Sequence, residues 1–276
     1  MLSLFLLAAL QGPAPAELVV DLSPVKTPIG SFSAASGPEG QVFGGDHYFA
    51  AESQLEGLEL WRSDGTAGGT VLVADLYPGP LGSDPRLFTV FQGALHFVAT
   101  GDPDVGDVVW RTDGTAAGTV PVLDIGPGSG VAWITDLVAT PTKLLVIGST
   151  DVSTAGRKLY SGDGSGTAPV PLLDSIWGTT KLHLAPNGSQ AYLESSLPST
   201  GSELFITDGT PGGTGLVGEI TPGPGHSRPG YFVNLGGQTL FTAYDAALNL
   251  GLYATDGTPG GITFLYDLST EPPWLP

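Results

Sequence analysis

The chain has 276 residues, a net charge of −18 from 27 acidic against 9 basic side chains, no cysteine, 42 glycines and 24 prolines. Lys and Arg are scattered singly, which excludes phosphate-neutralising surfaces and with them nucleic acid and anionic membranes as partners, while the lack of thiols excludes a disulfide framework and thiolate chemistry. A hydrophobic content of 41% is more than a disordered chain carries, so the glycine and proline mark a folded, turn-rich domain.

The first element is "MLSLFLLAALQGPAPAE". Leu2 to Leu10 form a short apolar stretch, and Ala14-Pro15-Ala16 is an A-x-A cleavage pattern. Residues 1–16 are therefore expected to be a secretory signal peptide, and the stretch is too short to span a bilayer. No later segment is apolar enough for membrane insertion, and with no cysteine after the cleavage site a lipid anchor is excluded. The mature chain is expected to be secreted or extracytoplasmic.

From residue 17 to 268 the chain repeats itself. An Asp-Gly pair recurs at Asp64, Asp113, Asp163, Asp208 and Asp256, with spacings of 49, 50, 45 and 48. Three residues before it stands an aromatic: Trp61, Trp110, Tyr160, Phe205 or Tyr253. Fourteen residues after the aromatic comes a second acid: Asp75, Asp124, Asp174, Glu219 or Asp267. Each copy divides into four strand-like runs bounded by Gly, Pro, Asp or Asn. In the second copy these are Arg86–Gln92, Ala94–Thr100, Asp107–Thr112 and Thr119–Ile125; in the fifth they are "YFVNL", "TLFTAY", "LYATD" and "ITFLYDL". The linking segments keep register as well, Pro78, Gly79 and Pro85 matching Pro222, Gly223 and Pro229.

Four short antiparallel strands every 45–50 residues predict an all-β fold, a β-propeller of five four-stranded blades, because one such sheet buries its two faces only between neighbours. A five-bladed ring is the simplest closure. One feature sits awkwardly with it: "LVVDL", Leu18 to Leu22, matches the strand that follows the Asp-Gly turn, giving six copies of that strand and five of the others. Residues 269–276 are read as a C-terminal tail.

The repeated phrase resembles a bacterial family of exported repeat proteins named for its motif, ELWxxDGTxxGT. The copies that carry the resemblance are "ELWRSDGTAGGT" (Glu59 to Thr70), "VVWRTDGTAAGT" (Val108 to Thr119) and "ELFITDGTPGGT" (Glu203 to Thr214). The third copy, "KLYSGDGSGTAP" (Lys158 to Pro169), departs by losing the second Gly-Thr pair. The resemblance covers nearly the whole mature chain. It implies an exported, propeller-like protein and brings no established catalytic residues.

Read on its own residues, the phrase is a hairpin whose Asp accepts hydrogen bonds from amides two residues on, with Gly supplying a positive φ and the aromatic packing between blades. Calcium is the one cofactor weighed against that reading. It needs six to eight oxygens, and the stretch with closely spaced acids is "GDPDVGD", so Asp102, Asp104 and Asp107 are the candidate metal ligands. His47, His96, His183 and His226 lack metal-binding spacing, and there is no G-x-S-x-G elbow. A glycosidase pair would have to come from unrepeated acids such as Glu52, Asp136 and Glu194. Outside the repeated aromatic column stand Trp133, Trp177 and Trp274. Trp133 and Trp177, in links leading into first strands, are the candidate ligand-binding residues.

The sequence thus points to a secreted, non-enzymatic propeller that binds extracellular protein or carbohydrate. A glycan hydrolase with its site at the propeller axis and a structural component of a cell-surface layer are the alternatives.

Overall fold

A computed structural model of the chain describes residues 40–101, 106–127, 132–151, 156–176 and 180–270. Among these residues twenty strands build five separate four-stranded sheets, each an antiparallel meander in chain order. Blade 1 contains β1 (Gly40–Phe43), β2 (Asp46–Ser53), β3 (Gly57–Ser63) and β4 (Val71–Ala74). Blade 2 contains β5 (Arg86–Phe91), β6 (Ala94–Thr100), β7 (Asp107–Thr112) and β8 (Val120–Leu123). In blade 3 these are β9 (Trp133–Ala139), β10 (Leu144–Ser149), β11 (Arg157–Gly162) and β12 (Val170–Ile176). Blade 4 follows with β13 (His183–Leu184), β14 (Ala191–Leu197), β15 (Gly201–Thr207) and β16 (Gly215–Gly218). Blade 5 has β17 (Gly230–Leu235), β18 (Gln238–Tyr244), β19 (Leu250–Thr255) and β20 (Ile262–Asp267). The fold is the expected β-propeller of four-stranded blades.

Strand limits follow local chemistry. β8 stops at Leu123, two residues short of the sequence-based limit, because Asp124 Oδ1 accepts the Gly126 amide at 2.8 Å and turns the chain. Every blade has a register shift between its third and fourth strands directly before the repeated aromatic, at Leu60/Trp61, Val109/Trp110, Leu159/Tyr160, Leu204/Phe205 and Leu252/Tyr253. Such a bulge re-aims the side chains around it. Blade 3 adds a second irregularity between Arg157 and Leu159, in the copy whose motif is incomplete.

Alternation along each strand splits the apolar residues between two faces. In β6, Leu95, Phe97 and Ala99 pack toward blade 1 with Tyr48, Leu60 and Val73. Val98, from the opposite face, joins Ile134, Leu144 and Val146 of blade 3. Leu145, Ile147 and Leu159 then meet Ala191, Leu193 and Phe205. Finally Tyr192, Leu204 and Ile206 meet Phe241, Ala243 and Tyr253. Among the described residues these four apolar clusters join blades 1–2, 2–3, 3–4 and 4–5, and none joins blade 5 to blade 1. The repeat count is as expected. The sequence treats the five copies as equivalent, whereas among the described residues blade 5 and blade 1 each have one face that no apolar cluster joins to another blade. Leu18–Leu22, the sixth strand-like copy, lies outside the described residues, as does the predicted signal peptide.

Candidate functional site

The repeated hairpin is a closed hydrogen-bonded unit. In blade 1, Asp64 Oδ1 accepts the Thr66 amide at 2.9 Å and the Thr66 hydroxyl at 2.7 Å. Thr66 Oγ1 accepts the Gly69 amide at 3.0 Å, and the Thr70 hydroxyl donates to the Thr66 carbonyl at 2.8 Å. Blade 2 repeats this with Asp113, Thr115, Gly118 and Thr119, and blade 4 with Asp208, Thr210, Gly213 and Thr214. Hydroxyl donation from the following Thr or Ser, then its amide, holds Asp64, Asp113, Asp163 and Asp256 below the ordinary carboxylate range. The motif's two glycines have different duties. Gly65 and Gly114 have φ of 89° and 92°, whereas a Cβ on Gly69 or Gly118 would overlap the Asp64 or Asp113 carboxylate. In blade 3, Ser165 and Thr167 reach Asp163 at 2.5 and 3.3 Å, a looser version of the same cap.

These loops also form the joints between blades. In blades 2 to 5 the glycine of the Asp-Gly pair sits over side chains of the preceding blade, a second-strand residue among them. A Cβ on Gly114 would strike the Tyr48 hydroxyl. On Gly164 it would stand 3.3 Å from Phe91 Cε1 and 3.4 Å from His96 Nε2, on Gly209 2.7 Å from Lys143 Cγ and 3.3 Å from Leu145 Cδ2, and on Gly257 2.7 Å from the Tyr192 hydroxyl. The column Tyr48, His96, Leu145, Tyr192 thus seats the next blade, a role hidden within a single repeat because the contact spans two copies. His96 is buried, stacked edge-on against Phe91, with Nδ1 3.3 Å from the Ala94 carbonyl. Burial pushes its pKa down, which favours the neutral imidazole.

A second set of carboxylates anchors the links. Glu59 and Glu203 are fully buried. Glu59 accepts the Leu76 and Tyr77 amides at 3.1 and 3.0 Å and the Ser83 hydroxyl at 2.6 Å. Glu203 does the same for Ile220, Thr221 and Ser227, at 2.9, 3.1 and 2.7 Å. Burial pushes both carboxyls up, partly opposed by those donors. The sequence did carry this signal: Ser83 follows Glu59 by 24 residues, as Ser227 follows Glu203.

Of the candidate metal ligands, Asp102 and Asp104 lie outside the described residues. Asp107 is buried, its Oδ2 taken by the Arg86 guanidinium and by the Ile134 amide at 2.7 Å, with the Thr100 hydroxyl 3.3 Å from Oδ1. Its oxygens are engaged in tying blade 2 to blade 3. Among the described residues no three His, Asp or Glu side chains cluster as metal ligands do. The unrepeated acids fall in separate blades. Asp136 is buried, pushed up by desolvation, and accepts the Leu182 amide at 2.6 Å. Glu194 accepts the Ser202 hydroxyl, and Glu52 is exposed.

Trp177 lies outside the described residues, as does Trp274. Trp133, the first residue of β9, is 59% exposed. Arg86 Cζ stands 5.5 Å from the centre of its ring. That guanidinium is anchored by Asp107 and by the Asp84 carbonyl at 3.3 Å, while the Asp84 carboxylate, 3.4 Å from Nη1, is itself largely exposed. The result is a fixed cation under an open indole face, beside an exposed carboxylate. Such a platform offers a flat apolar surface with an adjacent hydrogen-bond acceptor.

No protein-family model matches the chain. No curated protein matches it either. Solved structures with a similar course include a puromycin hydrolase at 19% identity, covering 84% of this chain and 40% of that one, with a TM-score of 0.48. TolB from Acinetobacter baumannii matches at 12% identity over 82% of this chain and 53% of its own, with a TM-score of 0.41. A puromycin-hydrolyzing peptidase of Mycobacterium tuberculosis matches at 14% over 82% and 38%, with a TM-score of 0.49. The chain therefore spans about two fifths to half of the length of these proteins. The propeller assignment rests on the sheet order and the blade-to-blade packing.

Proposed function

We propose that the protein is an exported, non-enzymatic binding module of the ELWxxDGT-repeat type, and that Trp133 on its Arg86 base is a point of contact with an extracellular carbohydrate or protein. The observation that carries this reading is how the polar groups divide. The Asp-Gly acids are engaged in loop caps and the buried Glu59 and Glu203 in link anchors, whereas Trp133 is unrepeated, exposed and held in place from beneath. A sugar ring would lay its C–H face on the indole and give a hydroxyl to Asp84; a protein partner would use the same platform for an aliphatic or aromatic side chain.

The test is a glycan array and a pull-down from extracellular material, run with the parent protein and with Trp133→Ala. The expected result is at least one ligand that the variant loses, with unchanged thermal unfolding. Identical binding by both proteins, or no ligand under any salt or calcium condition, would overturn the proposal.

A further inference from the structure

Each internal joint has two halves. One is the leading face of a blade, where a second-strand side chain waits under the loop of the next blade. The other is the trailing face, which carries the repeated aromatic and the Asp-Gly loop. Among the described residues four joints are formed, and one half of each kind, on blade 5 and on blade 1, has no matching half beside it.

The leading half is on blade 5. Strand pairing sets Leu240 at the position of His96 and Tyr192, Val233 at that of Thr89, and Leu235 at that of Phe91. In blade 2, Phe91 is 3% exposed and His96 2%, both covered by blade 3. Leu235, by contrast, is 65% exposed and Val233 59%, and Leu265, the counterpart of buried Val122 and Val217, is 47% exposed. Tyr231 stands 90% exposed where Leu87 packs against the blade 2–3 cluster, and the two share an unusual positive φ, 53° and 55°. Blade 5 therefore keeps both the backbone and the apolar character of a joint face.

The trailing half is on blade 1. Phe49 and His47 occupy the positions of Phe97 and Leu95, which are fully buried against blade 1 in the first joint. Phe49 and His47 are half-buried and stacked on each other with ring centres 5.6 Å apart. Gly65 is the telling residue. Its four counterparts each have a side chain of the preceding blade beneath them, whereas among the described residues nothing lies within 4 Å of where a Gly65 Cβ would be.

We infer that the leading face of blade 5 docks the trailing face of blade 1 of a second copy of this chain, continuing the blade-to-blade interface from one molecule to the next. Leu240 of one copy seats beneath the Asp64-Gly65 loop of the other, and Leu235 takes the place beside that loop that Phe91 holds beside Gly164. The contact is head-to-tail, so it either closes into a ring of copies or extends. A net charge of −18 on each copy opposes the encounter, so association strengthens as salt screens the repulsion.

The chain has no native cysteine, so single thiols report the contact. Leu235→Cys and Ala67→Cys both lie at exposed positions, Ala67 next to the Gly65 turn. Treated with a short bismaleimide, a mixture of the two variants is expected to yield a cross-linked dimer that neither gives alone. Light scattering of the parent protein at tens of micromolar should report more than one copy, increasingly so from 50 to 500 mM NaCl, and Val233→Glu should return it to one. Three outcomes overturn the inference. Cross-linking of Leu235→Cys with itself would show a symmetric blade 5 contact. Cross-linking within one chain of the double variant, at monomer mass, would show that the two ends meet in the same molecule. No cross-link, with monomer mass at every salt concentration, would show both faces free.

Discussion

The Asp-Gly loops of blades 1 and 2 are almost the same loop. Asp64 and Asp113 accept the same two donors at the same distances, the second glycine passes equally close to the carboxylate, and the φ of Gly65 and Gly114 differ by a few degrees. What differs lies beneath them: the Tyr48 hydroxyl under Gly114, and no described residue within 4 Å under Gly65. The internal bonds of the motif therefore close without a neighbour, and holding blades together is a separate duty of the same residues. A stapled loop is what makes each blade's edge rigid enough to serve as one half of a joint.

The largest effect expected from that comparison is across the two faces of blade 5. Phe241 is buried between blades 4 and 5, so Phe241→Ala should cost about 3–5 kcal/mol of unfolding free energy. Leu235→Ala, on the uncovered face of the same sheet, should stay within about 0.5 kcal/mol for the dilute protein. Urea unfolding of both variants would check this, and equal losses would mean that the two faces are equally packed. A smaller contrast separates the loops themselves. Gly65→Ala and Gly114→Ala both force a side chain into positive φ, but only the second also drives a methyl group into Tyr48, adding an overpacking cost of about 1–3 kcal/mol. If the two variants melt together, Tyr48 is not part of a joint.

The smallest effect is a pH profile with two opposing phases. Glu59, Glu203 and Asp136 are raised by burial, so the folded protein holds protons that the unfolded chain has released, and their contribution grows as pH falls through the raised values. The loop carboxyls Asp64, Asp113, Asp163 and Asp256 are lowered by their Thr or Ser donors, so their contribution is complete above the unfolded value, about 3.9, and is lost as pH falls through the folded values. Melting midpoints from pH 7 to pH 2.5 should hold or rise down to about pH 4 and then drop. Glu203→Gln should flatten the first phase and leave the second, whereas an even decline from pH 7 would contradict these assignments.

Fixed offsets in sequence made the blades legible: the aromatic three residues before Asp-Gly and the acid fourteen residues after that aromatic place the third and fourth strands of every copy, and the runs between Gly and Pro place the other strands. Offsets report what is the same in each copy, and for that reason they missed what depends on position. The seat formed by Tyr48, His96, Leu145 and Tyr192 is written in three different residue types and acts on the next copy. Glu59 and Glu203 are replaced at the corresponding positions of the other blades by Val108, Lys158 and Gly251. The uncovered face of blade 5 has an ordinary strand pattern, because alternation encodes an apolar face and not its occupant. Trp133 was visible as an aromatic outside the column, but its Arg86 base, 47 positions earlier, was not.

The central claim is that the repeated Asp-Gly-Thr phrase is a staple and a joint and not a metal site. Its most direct test is the thermal unfolding of Asp113→Ala beside the parent protein, each in millimolar calcium and in chelator. The cap account predicts a lower midpoint for the variant, shifted by the same amount in both conditions, and a parent midpoint indifferent to calcium. A parent protein that melts higher in calcium, with that gain abolished in Asp113→Ala, would contradict it.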